Sequence, residues 1–502
     1  MKICLINPPL QYSLDIGEEW SCTFPIRYRY IDIEYIKAYL FENNCDADVL
    51  DCISDNIDME KLKKRLLRND YDIVLLLVSY YNYINFQRIL FYLKTIRPNI
   101  FFVVGGDVAE LNVEKVLKSD SFIKAVILGD KEKSFFNMIK NLENNISWEM
   151  SNGIAYLNDG RVVHNQVDYF RCLDQMPFPR HKFARKCNTV TIITSKGCYG
   201  NCIFCAEKEK SKFCSDIRER SVKNVISEID TIVKENSPSI ISICDANFMP
   251  AIPQRRVWLE EFMKELQKRR YEIKFSALLR ANDVIYYKDI MGEMKNLGFT
   301  SFFVGIESFS QRQLNFYNKK ITVSENIRAI QIFKEMGLNI NFGFLFLDPF
   351  VTIDEISENL QILKLLDICS IITYDQPFFS LNCTVNVIPG TELYNIVADN
   401  DLVMNDNKGY NFVNANVQKY YEKIIKWNRV IKKYDYIRYC IDKDIAIMNG
   451  KDYKKLSIVI EKIREVDLSF LIELLSVYEN ETETNSLINC YEKIISNIIK
   501  TL

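Results

Sequence analysis

The sequence predicts an α/β protein in three parts. These are an N-terminal doubly wound, Rossmann-like sheet over 1–145, a partial or full TIM-like α/β barrel over 187–395, and a helical C-terminal domain over 396–502. Three observations predict it. Short apolar runs alternate with helical patterns over 1–145, as in parallel sheets wound on both faces. The alternation resumes at Thr189 for about six β-then-α repeats. Beyond 396, Lys, Ile, Asn and Glu recur at helical spacing with few turn residues.

In the first part, Ile3–Ile6 and Ala47–Leu50 read as strands, with a helical pattern at Tyr35–Asn43 between them. Met59–Arg68 reads as a helix, and Ile73–Val78 is a continuous apolar run of the kind buried on both faces of a parallel sheet. Phe86–Ile96 reads as a helix, Phe101–Val104 as a strand ending in Gly105-Gly106, and Ala125–Leu128 as a strand ending at Gly129. Ligands of such sheets bind beyond the carboxyl ends of the strands, here Asn7-Pro8-Pro9, Asp51, Ser79, Gly105-Gly106 and Gly129-Asp130. The glycines allow close approach of a ligand or simply make tight turns.

Residues 146–186 read as a linker, with a hairpin signal at Asn158-Asp159-Gly160 and a stiff Pro177-Phe178-Pro179. In the barrel, Thr189–Thr194, Ile240–Ile243, Lys274–Leu279, Ser301–Ile306, Ile340–Leu347, Ile371–Tyr374 and Val385–Ile388 read as strands. Helical patterns separate the earlier ones, and barrel chemistry belongs at the carboxyl ends of strands.

Composition narrows the function. Hydrophobic residues at 48% supply a sizeable core, and a net charge of −2 gives no general reason to expect nucleic acid or an anionic membrane as partner. No run reaches the roughly 20 apolar residues of a membrane span, and the N-terminus does not read as a signal peptide, so a cytoplasmic protein is expected. Fifteen cysteines, an odd number without an export signal, fit a reducing compartment. With only two histidines, His164 and His181, a histidine-rich metal site is excluded.

The chemistry concentrates directly after the first barrel strand. Cys198, Cys202 and Cys205 stand in a C-x3-C-x2-C loop with Gly197, Gly200 and Asn201. Such a loop can wrap one face of an iron–sulfur cube and leave one iron open. Its composition is not that of a core stripe, a closed zinc site wants four ligands, and a redox pair leaves the third cysteine unexplained.

This loop, with Phe204 before its last cysteine, resembles that of the radical S-adenosylmethionine enzymes. The resemblance implies a [4Fe–4S] cluster on Cys198, Cys202 and Cys205. It implies that the methionyl group of S-adenosylmethionine chelates the open iron, and that an electron from the cluster releases a 5′-deoxyadenosyl radical. It also assigns cofactor contacts: Phe204 in the loop, Asp245 and Asn247 near the methionyl amine, Arg280 at its carboxylate, Glu307 and Ser308 at the methionyl or ribose part, and Gly343 beside the adenine.

The first part, through Asn7-Pro8-Pro9, Val104-Gly105-Gly106 and Leu128-Gly129-Asp130-Lys131-Glu132, resembles the cobalamin-binding-type domain of class B radical methyltransferases. That implies cobalamin contacts at Ser79, Gly105, Gly106 and Gly129. The D-x-H-x-x-G motif is missing, since Asp51 is followed by Cys52-Ile53-Ser54-Asp55. Cobalt ligation by a histidine of this loop is therefore excluded.

Three readings of the function stand side by side. The first is cobalamin-dependent methylation of an unactivated carbon. The second is cobalamin-free epimerisation, cyclisation or rearrangement of a peptide or small metabolite, in which Cys383 or Tyr374 could donate hydrogen. The third is a non-catalytic iron–sulfur sensor. The resemblance implies a small-molecule or peptide substrate and an electron donor such as flavodoxin or ferredoxin. Only Cys440 and Cys490 follow the barrel, so a single cluster is expected.

Overall fold

The computed structural model describes residues 1–9, 31–180, 189–211, 217–236, 238–373, 376, 378–381, 384–404, 409–443 and 450–500. The first sheet holds β1 (Ile3–Asn7), β2 (Ala47–Asp51), β3 (Ile73–Leu77), β4 (Phe101–Gly105), β5 (Ile123–Ile127), β6 (Ile154–Asn158) and β7 (Arg161–His164), in the order β2-β1-β3-β4-β5-β6-β7. The first five are parallel. Helices cover both faces, and alternate residues of β1 enter different cores, Cys4 and Ile6 one, Ile3 and Leu5 the other. Continuous apolar runs are what burial on both faces demands. The chain reverses direction across the sheet between β1 and β3, so their carboxyl ends flank the crevice of this topology.

The linker expectation needs correction. Residues 154–164 form a hairpin that pairs antiparallel with β5 and extends the first sheet. Asp159 and Gly160 both take positive φ, 47° and 77°, the backbone that a two-residue turn between twisted strands requires.

After β8 (Thr189–Ile192), the short strands β9 (Ser195–Lys196) and β10 (Arg218–Glu219) form an antiparallel ribbon. The second sheet continues with β11 (Ile240–Ile243), β12 (Lys274–Arg280), β13 (Phe299–Glu307) and β14 (Asn339–Phe344), in the parallel order β14-β13-β12-β11-β8. Among the described residues the barrel is therefore partial. The strands expected at 371–374 and 385–388 are reduced to single bridges, Ile340 to Ile372 and Leu347 to Thr384. The cause is local. The Gln376 side chain takes the free edge of β14, accepting from Phe342 N at 3.2 Å and donating to Phe342 O at 3.3 Å. Tyr374 lies outside the described residues.

The C-terminal helices, Ala415–Lys443, Gly450–Val477 and Glu481–Ile499, close this incomplete edge and share one hydrophobic core with the barrel. Buried Arg464 donates to the carbonyls of Ile372, Thr373 and Gln376. Buried Asp467 accepts from Trp427 Nε1 at 2.7 Å and Ser380 N at 3.1 Å. Among the described residues no helix is long and apolar enough to cross a membrane.

Arg464→Met removes the donors of three carbonyls. Each buried acceptor left unpaired costs about 1–3 kcal/mol. The variant is expected to unfold at least about 3 kcal/mol more easily in urea, with helical circular dichroism retained before the transition. Unchanged stability contradicts a closing role for Arg464.

Candidate functional site

The site stands at the carboxyl ends of β8, β11, β12 and β13. Its base is a buried carboxylate. Asp245, just past β11, accepts from Thr194 N at 2.6 Å, from the Thr194 hydroxyl, from Ser195 Oγ at 2.8 Å and from Arg255 Nη2 at 3.3 Å. These bonds tie the end of β11 to the strand end that leads into the cysteines. Both Asp245 oxygens are thus engaged inside the protein, where the resemblance implied a contact to the methionyl amine. Asn247 is engaged likewise, donating to Asp283 Oδ2 at 2.6 Å.

The cysteine loop then turns at Gly197, with φ of 98°. Cys202 is buried and Cys198 and Cys205 are half-buried. Gly200 N donates to Cys198 Sγ at 3.3 Å, and Cys205 N closes a turn on Cys202 O at 3.1 Å. Asn318 Nδ2 holds Asn201 O, Tyr317 O holds Ile203 N, and Phe204 packs edge-on against Tyr317. Burial lifts the Cys198 thiol and pushes Cys205 up to about 11. Ionising such thiols needs compensating positive charge, which a bound metal supplies.

The protein's own positive charge is Arg280, the last residue of β12. Its Nη1 donates to Cys202 Sγ at 3.4 Å and its Nη2 to Lys319 O at 2.6 Å. Burial opposes the guanidinium charge, but negative charge at Cys202 favours it and outweighs the burial, so its pKa lies above the ordinary value. Tyr199 covers the guanidinium with its ring and donates its hydroxyl to Asp283 Oδ1 at 2.6 Å.

Beside Arg280, Lys319 pairs with Glu307 at 2.7 Å, both buried. Glu307 sits at φ of 66°, unusual for a residue with a side chain, where the register between β13 and β14 shifts. The surrounding glycines make room. A Cβ on Gly200 would stand 2.2 Å from Arg280 Nη1, one on Gly305 2.6 Å from Glu307 Oε1 and Lys319 Nζ, and one on Gly343 3.0 Å from Glu307 Oε2. The structure thus gathers Cys202, Arg280, Glu307 and Gly343. It engages the Ser308 hydroxyl elsewhere, on Gln313 Oε1 at 2.7 Å. Lys319, Tyr199 and Asp283 complete the site without having been singled out in the sequence. Cys383 lies outside the described residues, as Tyr374 does.

The donor set fits a cluster. Three thiols share one short loop, and the cationic donor Arg280 Nη1 on Cys202 Sγ suits an anionic cluster.

At the first sheet, the expected cobalamin contacts are more constrained. A Cβ on Gly106 would lie 2.5 Å from Val78 O, and one on Gly129 2.4 Å from Val167 Cγ1. Leu77 and Leu75 press on Gly105. The room left by these three glycines is filled by protein. Ser79 N donates to Asn82 Oδ1 at 2.8 Å. The ends of β4 and β5 nevertheless abut the cysteine loop: Asp107 pairs with Lys210 at 2.6 Å and Asp130 with Lys196 at 3.1 Å. His164, on edge strand β7, stands away from these strand ends and supplies no imidazole to them.

Comparison with known proteins now decides the family. Residues 192–363 match the radical SAM superfamily and residues 27–138 the B12 binding domain. The chain is a radical SAM enzyme with a B12 binding domain. These domains imply a [4Fe–4S] cluster, S-adenosylmethionine and cobalamin as its cofactors.

An uncharacterized methyltransferase, PH0819, of Pyrococcus horikoshii is 25% identical over 415 residues, 81% of this chain and 85% of that protein. An anaerobic magnesium-protoporphyrin IX monomethyl ester cyclase of Rubrivivax gelatinosus is 25% identical over 359 residues, 69% of this chain and 62% of the cyclase. The fold is shared with the cobalamin-dependent S-adenosylmethionine radical enzyme OxsB, solved with aqua-cobalamin and S-adenosylmethionine. The TM-score is 0.77 at 19% identity, covering 100% of this chain and 80% of OxsB.

The buried Glu307–Lys319 pair gives a stability prediction. Removing one partner strands a buried charge, at a cost of about 3–5 kcal/mol. Glu307→Gln and Lys319→Met are each expected to destabilise by about that much, and the double variant by less than their sum. Additive losses in urea unfolding contradict the pairing.

Proposed function

We propose that this radical SAM enzyme cleaves S-adenosylmethionine reductively and methylates an unactivated carbon with the help of cobalamin. The observation that carries the reading is the apposition of the cysteine loop to the carboxyl ends of β4 and β5 through Lys196 and Lys210. Methyl donor and activated substrate must meet, and proximity of the two sites serves that. The methyltransferase name of the Pyrococcus relative points the same way.

When bound, the cluster supplies the electron that breaks a carbon–sulfur bond of S-adenosylmethionine, and cobalamin supplies the methyl group. The chain's residues do the rest. Cys198, Cys202 and Cys205 hold the cluster. Arg280, whose Nη1 lies on Cys202 Sγ, would offer a charge-assisted contact to the methionyl carboxylate. Glu307, anchored by Lys319, and Gly343 border the remainder of the cofactor. Asp245 and Asn247 act as positioning residues for the strand ends, since their polar atoms are already engaged.

The concave face of the second sheet suits a neutral, hydrogen-bonding substrate. Thr191, Ser242, Ser276 and Ser301 share one register row, and Phe303 is 42% exposed between fully buried Phe302 and Val304. A small molecule or a peptide segment fits this description, and a flavodoxin or ferredoxin is the proposed electron donor.

A second reading, rearrangement or cyclisation without bound cobalamin, is favoured by the protein-filled space at Gly105, Gly106 and Gly129. The sensor reading is disfavoured by the Arg280–Lys319–Glu307 constellation beside the thiols, which a sensor does not need.

Anaerobic reconstitution with iron, sulfide and hydroxocobalamin tests this. About four irons and one cobalamin per chain are expected, with S-adenosylmethionine converted to 5′-deoxyadenosine under dithionite. Alanine at Cys198, Cys202 or Cys205 should abolish both iron uptake and cleavage; cleavage by any of these variants refutes the assignment. Arg280→Met should keep the irons and weaken S-adenosylmethionine binding about tenfold, a loss of about 1.4 kcal/mol. Four irons with no retained cobalamin transfers the case to the second reading.

A further inference from the structure

The cysteine loop is held at both ends by lysines that reach into the B12 binding domain. On the upstream side, Lys196 of β9 lies directly opposite Arg218 of β10. Two like charges across a two-residue ribbon repel each other. The ribbon is stabilised because both cations converge on one buried carboxylate. Asp130 accepts from Lys196 at 3.1 Å, from Arg218 Nη1 at 2.6 Å and Nη2 at 3.2 Å, and from Phe170 N at 2.7 Å. Glu132, also buried, pairs with Lys196 at 3.2 Å. Asp130 is aimed by Gly129, whose φ of 72° and close contact with Val167 leave no room for a side chain.

On the downstream side, Lys210 of the helix Ala206–Ser211 pairs with Asp107 at 2.6 Å. Asp107 opens the helix that follows Gly105-Gly106. Each carboxylate therefore stands just beyond the carboxyl end of a B12-domain strand, β4 or β5, and each lysine flanks the loop 197–205. Neither pair contributes to the hydrogen-bonding of its own sheet. Both cross between domains, and the charges at Asp130 and Glu132 are buried, which makes the arrangement sensitive to loss of a partner.

We propose that Lys196 and Lys210 are positioning residues, a two-point clamp that sets the distance between the iron–sulfur cluster and the corrin site. The inference rests on the reading that the first domain holds cobalamin. It concerns the placement of the two sites and leaves the chemistry at each unchanged.

The test uses the full chain, reconstituted with cluster and hydroxocobalamin, in Lys196→Met, Lys210→Met and double variants beside Lys196→Arg and Lys210→Arg. Iron and cobalamin per chain are measured first. The electron paramagnetic resonance of Co(II) is then recorded with the cluster reduced, since spin–spin interaction between the two centres reports their separation. The clamp predicts that this interaction falls or vanishes in the double Met variant, with iron and cobalamin retained, and that the Arg variants keep it. An unchanged interaction in the double Met variant overturns the clamp.

Should the wild-type chain take up the cluster but no cobalamin, the methylation reading fails, and hydrogen exchange at the amides of 197–205 decides the clamp alone. Exchange rising about tenfold in the Met variants and not in the Arg variants supports it, and unchanged exchange overturns it. Should the double variant fail to take up iron, Lys210→Met decides by the same readings, because its partner Asp107 keeps 39% side-chain exposure and tolerates the loss.

Discussion

A guanidinium buried against a thiol organises the site. Arg280 has to be placed at the end of β12, next to Cys202, without water to share its charge. That single requirement explains much of the neighbourhood. Gly200 has no side chain because the guanidinium occupies its place. Lys319 turns its carbonyl to Arg280 and its ammonium to Glu307, so one residue satisfies both. Glu307 accepts a left-handed backbone to reach that ammonium, and Gly305 and Gly343 leave the space it fills. Tyr199 seals the outer side and passes its hydroxyl to Asp283. Preorganised charge of this kind is what a site for an anionic cluster and a carboxylate-bearing cofactor needs.

The two α/β units are joined by chemistry as well as by chain. The first sheet meets the second at the ends of its strands, where ligands of both architectures bind. The contact there is ionic, through Asp107 and Asp130, and Asn112 Nδ2 donates to Pro389 O at 2.7 Å beside Gly390. The C-terminal helices serve the opposite side. They pack beside the barrel edge that the Gln376 side chain occupies, and Arg464 supplies donors to the carbonyls of that segment.

Much of this was legible in the sequence because it is written in periodicity and spacing. The strand Ile240–Ile243 and the helix Met59–Arg68 have the expected bounds, since an apolar run and a sharp amphipathic pattern leave little choice. The cysteine loop announced itself by spacing alone. What was hidden depends on long-range contact. The hairpin at 154–164 was signalled by Asn158-Asp159-Gly160, but its place in the first sheet was not, because its partner, β5, lies upstream across a helix. The sixth strand failed because a side-chain amide replaced backbone at the edge of β14. Asp245 resembled a ligand for an amine, yet its acceptors serve Thr194, Ser195 and Arg255. Nothing in the sequence marks Lys196 and Lys210, because only the fold sets Asp130 and Asp107 against them. Gly106 and Gly129 combined a real conformational demand with an assumed ligand, and the structure explains them by protein contacts.

The central claim is that the three thiols hold a cluster with one iron open to S-adenosylmethionine. The most direct measurement is electron–nuclear double resonance on the reduced cluster with S-adenosylmethionine carrying nitrogen-15 at its amine and oxygen-17 at its carboxylate. The account predicts hyperfine coupling to both nuclei, reduced or lost when Arg280 is replaced by Met. A cluster signal that is unaffected by S-adenosylmethionine and shows coupling to neither label contradicts it.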